Sequence, residues 1–130
     1  MAIQLVSDDH EERLNDLFLS VEDTFYIVSP FIGLPIVKRF CSIFESNSNI
    51  RCEVITRFSR EDFVNGASNL HALEKLLQHN VHIYALRGLH TKLYLIDKKF
   101  ALLGSANFTS GGFKLNHELS LLIADETNIL

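Results

Sequence analysis

His90-Thr91-Lys92-Leu93-Tyr94-Leu95-Ile96-Asp97, followed by Phe100-Ala101-Leu102-Leu103-Gly104-Ser105-Ala106-Asn107, reads as two strands joined by a polar turn. Both runs are apolar and β-forming, and Asp97-Lys98-Lys99 interrupts them where an antiparallel hairpin must reverse. Side chains two apart on a strand share a face. The pattern therefore predicts that His90 and Lys92 project together, and that Ser105 and Asn107 do so at the end of the neighbouring strand. An imidazole, an ammonium, a hydroxyl and an amide are thereby gathered into one pocket.

Upstream of the hairpin the chain alternates helix and strand. Ser7 followed by Asp8, Asp9, Glu11 and Glu12 predicts a capped helix start with an acidic first turn, continuing to about Leu19 with Leu14, Leu17 and Phe18 inward. Phe25-Tyr26-Ile27-Val28, stopped by Ser29-Pro30, predicts a buried strand. Ile36, Val37, Phe40, Cys41 and Phe44 recur at helical spacing and precede a polar loop over Glu45–Asn49. Arg51–Thr56 alternates as a second strand, Leu70, Leu73, Leu76 and Leu77 mark a third helix, and Val81–Leu86 a third strand. After the hairpin, His117–Ala124 is again strand-like. This order predicts an α/β fold whose sheet is largely parallel, built from crossover units, with the antiparallel hairpin closing it. No internal repeat or linker appears, so residues 1–130 read as one domain.

Composition bounds the function. At 130 residues and 14.8 kDa, with 47% apolar and 22% charged residues, the chain can fill one core and still coat it. The longest uncharged runs, Thr24–Val37 and Phe100–Phe113, are too short to cross a bilayer, and Pro30 and Pro35 break the first. Acidic residues stand where a secretory signal would carry positive charge, and Cys41 and Cys52 read as reduced core residues, which together predict a cytoplasmic protein. A net charge of −4 excludes a surface that attracts polyanions everywhere. The charge is uneven, however: residues 1–70 hold 6 Lys and Arg against 11 Asp and Glu, net −5, whereas residues 71–130 hold 6 against 5, net +1. An anionic substrate is expected at the second half.

The groups gathered by the hairpin suit a phosphodiester. Attack at phosphorus builds charge on the non-bridging oxygens, which Lys92 and Asn107, helped by Ser105, would stabilise as fixed donors. Imidazole ionises near pH ~6.5 and can serve as nucleophile or proton donor. A carboxylate on the second ring nitrogen would set its tautomer, and Glu118 is the candidate for that partner of His90.

His-x-Lys-x4-Asp followed by Gly-Ser-x-Asn, here His90, Lys92, Asp97, Gly104, Ser105 and Asn107, resembles the signature of the phospholipase D superfamily, with Glu118 where that family places its histidine-orienting acid. The resemblance extends over nearly the whole chain, through the helix, strand and hairpin order and the Ser29-Pro30-Phe31 segment. It implies an α-β-α sandwich and a metal-free, cofactor-free mechanism in which one His90 attacks phosphorus and a second protonates the leaving oxygen. A single motif implies a homodimer that shares the active site across a two-fold axis. Asp97 is implied as a hydrogen-bonding support at the turn, together with Gly104. Within the superfamily, size and the lack of a membrane-seeking segment favour an endonuclease, with DNA preferred to RNA. The other readings are a phospholipase or phosphatidyltransferase, and a catalytically silent binding or dimerisation module. Related single-motif nucleases continue past the strand bearing the acid, which marks this chain as a candidate N-terminal domain of a longer restriction enzyme or helicase.

Other features carry blander readings. Arg57, Arg60 and Arg87 follow predicted strand ends, where α/β folds place ligands, and are weak candidates for contacts to flanking phosphates. His10, His71, His79, His82 and His117 read as core or surface residues, the Asp8–Glu12 cluster as helix N-terminal charge rather than a metal site, and Gly111-Gly112 as turn residues.

Overall fold

The computed structural model describes residues 1–46 and 49–125. Its strands are β1 (Ala2–Val6), β2 (Thr24–Val28), β3 (Arg51–Thr56), β4 (His82–Ala85), β5 (Leu93–Ile96), β6 (Phe100–Gly104) and β7 (Ser120–Ala124). They form one sheet in the order β1-β7-β6-β5-β2-β3-β4. Four α-helices, α1 (His10–Ser20), α2 (Leu34–Ser46), α3 (Arg60–Val64) and α4 (Leu70–Gln78), and a π-helical turn over Gly111–Leu115 complete the described structure. Part of the polar loop after α2, and the tail from residue 126, lie outside the described residues.

The fold is α/β with a mixed sheet, but parallel pairing is confined to β2–β3 and β3–β4, and the four other pairings are antiparallel. The expected predominance of parallel strands is corrected for a topological reason. Only the segments containing α2 and α4 act as crossovers, whereas β5, β6 and β7 run as a meander and β5 enters beside β2 in the opposite direction.

Several boundaries also move. β1 escaped the sequence reading because its apolar residues do not point inward: Ile3 and Leu5 are 63% and 64% exposed, and only Val6 is buried. α1 begins at His10 rather than after Ser7, and its N-cap Asp9 makes no side-chain capping bond. α3 is a single short segment, and the π-helical turn occupies a stretch that read as helix-free. In α4, Leu73 and Leu76 are buried while Leu70 and Leu77 face solvent.

The core follows from the patterned segments. α2 opens with Leu34-Pro35, where proline's missing N–H breaks no intrahelical bond, and buries Ile36, Val37, Phe40, Cys41 and Phe44. Phe40 is the hub: its ring centroid lies 4.6 Å from Phe18, 4.7 Å from Phe44, 5.2 Å from Phe25 and 5.8 Å from Phe108. Such aromatic pairs contribute about 0.5–1.5 kcal/mol each beyond the area they bury. The cluster ties α1, α2 and β2 to Phe108, the residue that follows Asn107, so the core itself sets where the motif stands.

Candidate active site

Two antiparallel pairings create the site. Because β5 runs against β6 and β6 against β7, the start of β5, the end of β6 and the start of β7 meet at one edge of the sheet. Leu93 pairs with Leu103 and Gly104 with Ser120, so His90 and Lys92 before β5, Ser105 and Asn107 after β6, and Glu118 before β7 are all delivered there. None of these five lies within a strand, which corrects the expectation that His90, Lys92 and Glu118 do. The pleat therefore does not orient them. Instead, Gly88 turns the chain with φ 72°, Leu89 is anchored at 6% exposure, and His90 emerges exposed. Lys92 folds back so that its Nζ donates to the His90 carbonyl at 2.9 Å.

The Gly104–Phe108 segment is held on every side. Ser105 N donates to the Leu119 carbonyl at 3.1 Å, and the Ser105 hydroxyl accepts from Leu119 N at 2.9 Å. The buried Tyr94 hydroxyl donates to the Ala106 carbonyl at 2.8 Å, and Phe108 N donates to the Ser29 hydroxyl at 3.0 Å. Gly104 has no room for a side chain, since an added Cβ would run into the Leu119 carbonyl and the Ser120 hydroxyl. At Gly112 an added Cβ would strike the Asn107 backbone, so the π-helical turn closes directly over the site asparagine.

Asn107 Oδ1 is buried with no hydrogen-bond partner. A buried acceptor without a partner in the chain is costly, about 1–3 kcal/mol, so this oxygen is open to a partner from outside the chain. Glu118 is half-buried and its Oε1 accepts from Asn116 Nδ2 at 3.4 Å; among the described residues its carboxylate makes no hydrogen bond to the His90 ring.

The remaining sequence candidates lie elsewhere. Asp97 is at the far end of β5, roughly 16 Å from Lys92 along the strand. There its carboxylate accepts from the backbone N–H groups of Glu22, Asp23 and Thr24 at 3.0, 2.9 and 2.8 Å, fixing the entry to β2. Arg57 and Arg87 stand past the ends of β3 and β4, on the same sheet edge as His90 but beyond β2. Arg57 is paired with Asp62 through bonds of 2.8 and 3.1 Å, which raises its pKa, and lies 4.9 Å above the Phe31 ring. Arg60, the first residue of α3, is exposed.

One supporting pair had no sequence signal. His10 is 3% exposed and its Nε2 lies 2.8 Å from the Ser120 hydroxyl, two residues beyond Glu118. Burial lowers the His10 pKa, opposed by the charges of Glu118, Asp9 and Asp8. Only the tertiary pairing of α1 with β7 shows that this histidine is a strut behind the site. Among the described residues no three His, Cys, Asp or Glu side chains come together as a metal-holding group.

The family model described as the cardiolipin synthase, phospholipase D-like domain matches residues 14–129, which include every group of this site. The chain belongs to the phospholipase D-like family. Its sequence is 39% identical over 71 residues to cardiolipin synthase A of Pseudomonas fluorescens, a match covering 52% of this chain and 15% of that protein's length. The fold is similar to that of the phospholipase D family member Nuc from Salmonella typhimurium, with a TM-score of 0.74 at 16% identity over 95% of this chain and 83% of that one. NucT from Helicobacter pylori aligns at a TM-score of 0.67 and 19% identity, over 97% and 87% of the two chains. Among the described residues no helix is long and apolar enough to cross a membrane.

Proposed function

We propose that the chain is a metal-independent endonuclease, hydrolysing DNA phosphodiester bonds through a phosphohistidine on His90 in an active site shared by two copies. The observation that carries this reading is the convergence of His90, Lys92, Ser105, Asn107 and Glu118 on one sheet edge, with the Asn107 segment fixed from behind. In the first step a His90 nitrogen forms a bond to phosphorus as the P–O bond to the leaving strand breaks. The partner's His90 gives its proton to the departing oxygen. In the second step that now neutral imidazole takes a proton from water, the water oxygen bonds to phosphorus, and the N–P bond breaks. Lys92 and the Asn107 amide stabilise the charge on the non-bridging oxygens.

One chain supplies one His90, so the second imidazole comes from a second copy. A sheet face beside the site is suited to receive it. Leu103, Leu121 and Leu5 lie in register across β6, β7 and β1 and are 43%, 39% and 64% exposed, while their strand neighbours Leu102, Ser120 and Val6 are buried. An exposed apolar row of this kind supports association through this face. It leads straight into Gly104-Ser105 and borders Leu119, which is 55% exposed.

The chain covers 83% and 87% of Nuc and NucT but 15% of cardiolipin synthase A. The identity to the latter supports a second reading, a lipid phosphodiesterase. Plasmid nicking in excess EDTA separates the two. The nuclease reading expects nicking that survives EDTA and disappears in His90→Ala, with a histidine-linked oligonucleotide trapped by denaturing quench. Strict dependence on added magnesium overturns the mechanism, and turnover of phosphatidylglycerol micelles without DNA cleavage establishes the lipid reading.

A further inference from the structure

A second cleft opens on the same sheet edge, about 680 Å³ in volume and lined by Arg57, Phe58, Glu61, Asp62, Arg87 and Gly88 among others. Its volume is in the range of small-ligand sites. The floor is rigid. Arg57 is clamped by Asp62 and seated over Phe31, and Leu86 N donates to the Thr56 carbonyl at 2.9 Å, which pins the turn bearing Arg87 to the end of β3. Phe58 is the anomaly. It is 62% exposed, yet it is not loose, because Phe63 braces it at 4.9 Å between ring centroids. A braced aromatic ring presented to solvent beside a guanidinium is the arrangement that holds a nucleobase, by stacking, and its phosphate, by charge.

The charge pattern sharpens the ligand. Asp62 occupies two of the five donors of Arg57, and Glu61 adds a second carboxylate, so the cleft is not a plain phosphate site. Arg87 is its exposed cation, and Glu61 is placed to accept from base N–H groups. In a duplex those groups are paired and the base faces are stacked, so only an unpaired base can use both Phe58 and Glu61. The cleft also communicates with the reacting centre along the chain. Arg87 stands three residues before His90, a span of at most about 11 Å, which is one to two nucleotide steps.

We propose that this cleft binds an unpaired nucleotide flanking the scissile phosphodiester, its base stacked on Phe58 and its phosphate on Arg87, making single-stranded DNA the preferred substrate. The proposal rests on the nuclease reading above. The test uses the whole chain with single-stranded and hairpin-duplex oligonucleotides, bound in EDTA in the His90→Ala background, including one with 2-aminopurine next to the scissile position. Phe58→Ala is expected to weaken single-strand binding about 5- to 150-fold and to relieve 2-aminopurine quenching, and Phe58→Trp to retain both. Arg87→Gln is expected to lower the salt slope of single-strand binding by about 0.7. Phe58→Ala binding single strands as tightly as its parent, or weakening duplex binding equally, overturns the cleft while the nuclease reading stands. Turnover of lipid with no oligonucleotide bound or cleaved by the unmodified protein overturns both.

Discussion

His10 shows how much a single residue can hide. Its imidazole is buried between α1 and β7, 2.8 Å from the Ser120 hydroxyl, with an edge of the Phe113 ring at 6.2 Å between centroids. Burial disfavours the charged form, so its folded pKa lies below the unfolded value of about 6.5. The sign follows from linkage: the unfolded chain binds the proton first, so this group's contribution to stability is complete above the unfolded pKa and is lost as pH falls through the folded one. Chemical denaturation across mildly acidic pH is expected to show stability falling with pH, and His10→Gln a shallower slope over that window. Equal slopes in the two proteins would remove His10 from the account. The sequence reads His10 only as a core or surface residue, and its burial fits the core reading; the bond to Ser120 has no local signal because that partner is 110 residues away. His90, Lys92, Ser105 and Asn107 stand out as candidates because their spacing within a hairpin is itself the signal. Their orientation was not legible, since all four stand just outside the strands whose pleat was used to aim them.

Among the elements, the segment joining β6 to the π-helical turn matters most. It carries no regular structure over Ser105-Ala106-Asn107, so its shape is imposed by neighbours: Tyr94 from β5, Ser29 from the end of β2, and Leu119 ahead of β7. Tyr94 is fully buried, which pushes its phenol pKa well up and keeps the hydroxyl a donor to the Ala106 carbonyl. Tyr94→Phe removes that donor and leaves a carbonyl unpaired. It is expected to cost about 1–2 kcal/mol and, on the proposed function, to depress kcat more than KM, because Asn107 would drift from the position where charge develops. Thermal unfolding and steady-state cleavage read the two effects, and an unchanged kcat would show that Asn107 does not depend on this bond. Elements with strong apolar periodicity, such as α2 and β3, were found at or near their observed limits. β1, α3 and the π-helical turn lack that periodicity and gain their stability from contacts the local pattern does not encode.

For the whole molecule, the proposed function makes the exposed row Leu5-Leu121-Leu103 the surface on which assembly and activity would depend together. Leu121→Lys places a charge on a solvent-facing strand position, which the fold tolerates but an apolar interface does not. The variant is expected to sediment as a monomer with native circular dichroism and with activity lost in proportion to the lost dimer. A fully active monomer would contradict the shared site. The amino-acid sequence by itself determined the family and the α/β class, and it pointed to the candidate site residues and the hairpin that brings them to one sheet edge. These are legible because strand periodicity and turn chemistry are local, and because the motif's spacing is set by two adjacent antiparallel strands. Only the tertiary structure decided the balance of parallel and antiparallel pairing, the orphaned Asn107 oxygen, the His10–Ser120 strut, the exposed apolar row and the braced Phe58. Each of these depends on which distant segments pack together, a matter of long-range burial rather than of neighbours along the chain.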